Sequence, residues 1–214
     1  MKGVLQSIKP MYCFGIAYGI KTPVPVPNSN KEYEVRKTKP KIPTPFKAYT
    51  YCCKSDGDGC IPAGLPREWL GKIVFEYICN EIIEIIADDF NYGHYDISDD
   101  DLAKTHLTQE QLWEYGKGKT LYLWHISDLV IYNEPKELND FAKANFPTFD
   151  EMNDDGSLCQ YCPATNFGQN FVNGVPDDFQ CDFDCYDAYE DYAAQNRFLT
   201  RPPQSWCYVE VNNG

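Results

Sequence analysis

Six prolines in two clusters, Pro23, Pro25 and Pro27, then Pro40, Pro43 and Pro45, limit what the first quarter of this chain can become. Proline fixes φ and has no backbone N–H, so residues 20–30 and 39–45 cannot be helical and read as stiff, extended connectors. Between them lies Lys31-Glu32-Tyr33-Glu34-Val35-Arg36-Lys37. Its alternation predicts a strand with Tyr33 and Val35 on one face, the charged residues covering the other face and the ends. That polar face suits either solvated cross-strand ion pairs or the wall of a ligand cleft. On the strand alone the solvated face is the better reading.

The chain has 214 residues, 43% hydrophobic and 15% aromatic, enough for one elaborated domain or two small ones. Neither a transmembrane run nor a signal peptide is expected, since residues 1–19 lack a continuous apolar stretch and contain Lys9-Pro10. The expectation is therefore a cytoplasmic protein without a membrane partner. The net charge of −13 is unevenly spread. Residues 1–47 carry nine Lys/Arg against two Glu, whereas residues 144–196 carry eleven Asp/Glu and no Lys or Arg. A basic first quarter can hold a polyanion locally although the whole chain would repel one. The acidic stretch could instead dock a basic host protein.

Strands are expected at 4–8, 47–53, 72–79, 81–87, 120–126, 129–132 and 207–211. A helix should open at Pro10 and end at Gly19, a residue suited to a left-handed cap. A short helix is expected near 99–104. Thr108-x-x-Gln111 has the form of a capping box and predicts a helix over 109–115, closed by Gly116. Pro135-Lys136-Glu137-Leu138 should start a helical turn. Asp56-Gly57-Asp58-Gly59 lacks the ligands of a calcium loop and reads as a turn. Five to seven strands with two or three short helices indicate a small α+β barrel.

Candidate chemistry falls into three groups. Lys9, Lys31, Glu34 and Arg36 could meet a nucleotide, with the carboxylate accepting from an amine, the guanidinium gripping an oxygen pair and a lysine neutralising phosphate. A desolvated lysine beside Glu34 could alternatively act as base or nucleophile. Trp124 and Trp206 offer stacking planes, and His125 sits in a recognisable Trp-His-Ile-Ser-Asp run, though each also suits a structural role. Ten cysteines without a signal peptide argue against a disulfide framework. Cys159-x2-Cys162 and Cys181-x3-Cys185, eighteen residues apart, have the spacing of a four-thiolate structural zinc site. Free thiols in a disordered insert are the alternative.

Several segments together resemble the ASCH family of the PUA-like superfamily. They are Ser7-Ile8-Lys9-Pro10, the helix ending in Gly19, Lys31 to Pro40, Gly71 to Cys79, Trp124 to Tyr132 with Pro135 to Leu138, and Arg201 to Glu210. The resemblance is to small ASCH proteins of phages and mobile elements. It implies an α+β fold, a small PUA-like mixed β-barrel over 1–144 with flanking short helices. The acidic, Cys-containing stretch over 145–199 falls outside the matched segments and reads as an irregular insert that zinc could stabilise, and 200–214 would return as a final strand. The resemblance further implies a cleft between barrel and first helix that accepts RNA or a modified nucleotide, lined by Lys9, Lys31, Glu34, Arg36, Trp124, His125 and Trp206. Family members usually carry a short Gly-x-Lys turn running directly into the strand. Here the proline loop intervenes, leaving Lys21 or Lys31 as the motif lysine, and spacing favours Lys31. Some members resemble acetylcytidine amidohydrolases. In that alternative Lys31 and Glu34 would be catalytic, but Glu34 stands where a threonine is expected.

Overall fold

The computed structural model describes residues 2–19, 31–55, 61–89, 92–154 and 186–211. The chain forms two compact units, Met1–Glu137 with Pro202–Tyr208, and Leu138–Arg201 with Val209–Gly214. The first unit is α+β, as expected. Its elements are β1 (Lys2–Ile8), α1 (Pro10–Tyr18), β2 (Tyr33–Arg36), β3 (Phe46–Cys52), β4 (Ile73–Cys79), β5 (Ile82–Ile85), α2 (Asp99–Thr105), α3 (Gln109–Gly116), β6 (Leu121–His125), β7 (Ser127–Lys136) and the start of β9 (Trp206–Val211).

Within this unit the larger sheet runs β7-β4-β3-β1-β9 and the smaller runs β2-β6-β5. The β1–β3 pair is parallel, with Leu5 opposite Tyr49, and β3–β4 and β4–β7 are antiparallel. Among the described residues no strand pair joins the two sheets, so they stand as two separate sheets.

The two sheets share a core. Val4, Ile8, Ala48, Phe75 and Tyr77 of the larger sheet pack with Trp124 of β6 and with Cys13 and Ile16 of α1. The opposite face of the smaller sheet supplies Tyr33, Val35, Ile85, Leu121 and Leu123 to a second core with Leu112 of α3 and Tyr95. The order of layers is therefore large sheet, small sheet and helices α2–α3.

Local signals explain the helices. Pro10 occupies the first turn of α1, and Gly19 ends it at a positive φ of 72° with ψ 139°, which glycine tolerates but which is not the left-handed helical cap expected. Ser98 accepts from the Asp101 backbone N–H to start α2, whose first turn holds Asp99, Asp100 and Asp101 at the positive end of its dipole. The capping box of α3 is complete: Thr108 Oγ1 accepts from Gln111 N at 3.2 Å, and Gln111 Oε1 accepts from Thr108 N at 2.9 Å. The helix runs one residue past Tyr115 because Lys117, at φ 54°, provides the left-handed cap in place of the glycine. Pro135 and Lys136 belong to β7 rather than to a helical turn, which comes later, at Leu138–Asp140.

In the second unit, β8 (Phe141–Lys143) pairs antiparallel with the last three residues of β9, Phe141 opposite Val211. Helices α4 (Phe149–Asp154) and α5 (Tyr186–Asn196) meet over an aromatic cluster of Phe149, Met152, Tyr189 and Tyr192. Phe146 stacks on Tyr192 with centroids 5.4 Å apart. The Asp56–Gly59 turn and the four zinc-spaced cysteines lie outside the described residues.

Candidate functional site

Strand β2 positions the site. Its register places Glu34 opposite Trp124 and Arg36 opposite Tyr122, so these two charges lie on the face of the smaller sheet that meets the main core. Lys31, just before the strand, joins them. Exposure is 3% for Lys31, 6% for Glu34 and 5% for Arg36, which rules out the solvated face of ion pairs. Charged side chains are seldom buried to this degree without partners.

Their partners are specific. Lys31 Nζ donates to the Thr105 carbonyl at 2.8 Å, at the C-terminal end of α2, and lies 3.4 Å from Glu34 Oε2. It also sits 5.3 Å from the centroid of the Tyr12 ring. Arg36 Nη2 donates to the Ser7 carbonyl at 3.0 Å and lies 3.3 Å from Glu34 Oε1. The carboxylate thus bridges an ammonium and a guanidinium, and the cluster links β1, β2 and α2. Glu34 Oε2 and Arg36 Nε have no hydrogen-bond partner. Burial lowers the Lys31 pKa from its ordinary 10.5; Glu34 opposes that shift and Arg36 adds to it.

These side chains line a cleft of about 720 Å³. Ser7 and Lys9 contribute from the end of β1 and the start of α1, Tyr12 from α1, Lys37 from the end of β2, Tyr115 from α3, and Gln204 from the segment before β9. Lys9, Lys31, Glu34 and Arg36, separated by up to 27 positions, therefore meet around one hollow beside the first helix. Cleft volumes of this size accommodate small organic ligands.

Trp124, His125 and Trp206 do not line it. Trp124 is fully buried in the main core, its ring edge-on to Phe46 at 5.6 Å and tilted against Trp206 at 6.1 Å. His125 Nδ1 is 2.6 Å from Asn80 Oδ1, which gives the ring a side-chain partner away from the cleft. Its ring meets Tyr33 at 5.4 Å. Trp206 Nε1 donates to Thr38 Oγ1 at 2.9 Å, which ties the approach to β9 to a residue of the cleft lining.

Tyr12, Lys37 and Tyr115 were not among the sequence candidates. Spacing held a signal for two of them. Tyr12 follows the cap residue Lys9 by three positions, in the first turn of α1, and Tyr115 is four from Gln111, another lining residue on the same face of α3. Lys37 Nζ lies 4.6 Å from the Tyr115 ring centroid, closing a cation–π contact between β2 and α3.

Among the described residues no group of three or more His, Cys, Asp or Glu side chains is placed to hold a metal ion. No described helix is long and apolar enough to cross a membrane. No protein-family model matches the chain, and no curated protein does.

Proposed function

We propose that this chain is a PUA-like module of the ASCH type whose cleft binds RNA or a modified nucleotide. The observation that carries the reading is the buried Lys31–Glu34–Arg36 cluster on the inner face of β2, opening into a hollow that also holds Tyr12 and Tyr115. A planar base needs edge-on donors and acceptors together with a ring beside it, and a carboxylate, a guanidinium and two phenol rings supply both. In this reading the two sheets are the two sides of the PUA-like barrel.

Calorimetry against short RNAs and a panel of modified nucleosides and nucleotides tests it. Saturable binding that weakens in Tyr115→Ala supports the reading, because that residue is 37% exposed and its loss leaves the buried ion cluster intact. Absence of binding to every member of the panel overturns it.

A second reading follows from the burial of Lys31, which lowers its pKa from 10.5. A desolvated amine 3.4 Å from a carboxylate has the makings of a general base or nucleophile for amide hydrolysis on a modified base. Turnover of acetylcytidine that is lost in a folded Lys31→Ala protein would favour it over binding alone. The proposed zinc on Cys159, Cys162, Cys181 and Cys185 rests on spacing, and metal analysis of the purified protein decides it.

A further inference from the structure

The cleft has a marked excess of positive charge. Its lining holds four cationic side chains, Lys9, Lys31, Arg36 and Lys37, and one carboxylate, Glu34. Within the buried part the imbalance persists, because Lys31 and Arg36 share the single charge of Glu34. A net positive charge in a poorly solvated site is costly unless an anion meets it. The carbonyls of Ser7 and Thr105 offset part of that cost as dipoles, without changing the net charge.

Two further features point the same way. Helix α1 begins at the cleft with Lys9 as its cap residue, no side chain capping it and no acidic residue in its first turn, so nothing on the helix itself offsets the positive end of its dipole. Arg36, only 5% exposed, lines the same cleft with its Nε lacking any hydrogen-bond partner. A tetrahedral oxyanion beside Lys9 and the guanidinium would supply the charge that this end of the cleft lacks.

We propose that the cleft contains a phosphate seat formed by Lys9 and Arg36 at the start of α1, with Lys37 lining the same cleft beside Tyr115, so that its ligand is a nucleoside 5′-monophosphate rather than a neutral nucleoside. This rests on the reading of the cleft as a nucleotide site and narrows it. The cleft volume of about 720 Å³ leaves room for the ribose and base beyond the phosphate, alongside Tyr12 and Tyr115.

The test is calorimetry at low ionic strength with inorganic phosphate, the four common ribonucleosides, their 5′-monophosphates and a short RNA lacking a terminal phosphate. The monophosphates should bind about tenfold more tightly than the matching nucleosides, the equivalent of one charge-assisted hydrogen bond. Inorganic phosphate should compete with them, and Lys9→Ala and Lys37→Ala should each reduce the preference. Both lysines are exposed, so these proteins are expected to fold. Arg36→Gln, checked for folding by circular dichroism, should reduce it further. Equal binding of nucleosides and monophosphates, or a preference that survives both lysine substitutions, overturns the phosphate seat and leaves the nucleotide reading standing. Tighter binding of the RNA than of any monophosphate overturns the free nucleotide as ligand. If inorganic phosphate binds through Lys9 but no nucleoside or nucleotide adds to it, the seat stands and the nucleotide reading falls. No binding of any probe removes both.

Discussion

Arg36 Nη2 lies 3.3 Å from Glu34 Oε1 on the inner face of β2, and the same carboxylate reaches Lys31 through its other oxygen. One buried negative charge therefore holds two positive ones. Removing Glu34 leaves both cations without a counter-charge, whereas removing Arg36 leaves a balanced Lys31–Glu34 pair.

The first prediction follows from that asymmetry. Glu34→Gln should destabilise the first unit by about 3–5 kcal/mol, the usual penalty for stranding a buried charge, and Arg36→Met by less. The double substitution should cost less than the sum of the two single ones. Urea unfolding of the three proteins measures this, and strict additivity would mean that the two side chains do not act as a pair.

Alkaline stability provides a second check. The folded-state pKa of Lys31 lies below its unfolded value of 10.5. Between those two values the unfolded chain still holds a proton that the folded chain has released. Stability contributed by Lys31 therefore rises with pH across that interval. The difference between wild type and Lys31→Met in urea midpoint should grow in favour of the wild type as pH rises toward 10.5, and a flat difference would contradict the shift.

Acid stability should depend on Glu76. It is partly desolvated, which alone would raise its pKa, yet Lys47 Nζ at 2.6 Å and Tyr132 Oη at 2.5 Å hold the carboxyl below its ordinary 4.5. The folded pKa is depressed, so this contribution is present above about pH 4.5 and disappears as pH falls through the folded value. Glu76→Gln should be less stable than the wild type at neutral pH, and the gap should close on acidification. Thermal unfolding across pH 3–7 would show it.

The packing of α3 makes a steric prediction. A Cβ added at Gly116 would lie 1.8 Å from Tyr95 Oη and 3.0 Å from Leu121 Cδ1. Tyr95 is 2% exposed and donates to the Lys119 carbonyl at 2.8 Å, so it has little room to move away. Gly116→Ala should therefore cost about 1–3 kcal/mol, the range for overpacking, despite the better helix propensity of alanine. A neutral or stabilising outcome in urea would show that Tyr95 can swing clear.

Much of the fold is legible from local chemistry. Tyr33 and Val35 face one core and Glu34 and Arg36 the other side, as a two-residue alternation requires. The capping box, Pro10 and Gly19 each marked a helix end with a short-range physical signal. Burial of the polar face was not legible, because alternation is the same whether a face meets water or another sheet. That outcome depends on the larger sheet packing over β2 and β6, a relationship between residues far apart in sequence. Tyr115 joined the cleft for the same reason: its helix face was readable, but not what the face looks onto. Trp124 and His125 fell on neighbouring positions of β6 and so point to opposite sides, one into the main core and the other toward Tyr33 and Asn80.

The pairing of Glu34 with Trp124 across β2 and β6 has a spectroscopic consequence. An indole shielded from water emits at short wavelength, and its emission energy and yield shift with the electric field across the ring. Any charge that docks against the Glu34 carboxylate alters that field. Titrations of the cleft can therefore be followed by intrinsic fluorescence without attaching a dye, with Trp124→Phe showing which part of the signal belongs to that ring among the four tryptophans.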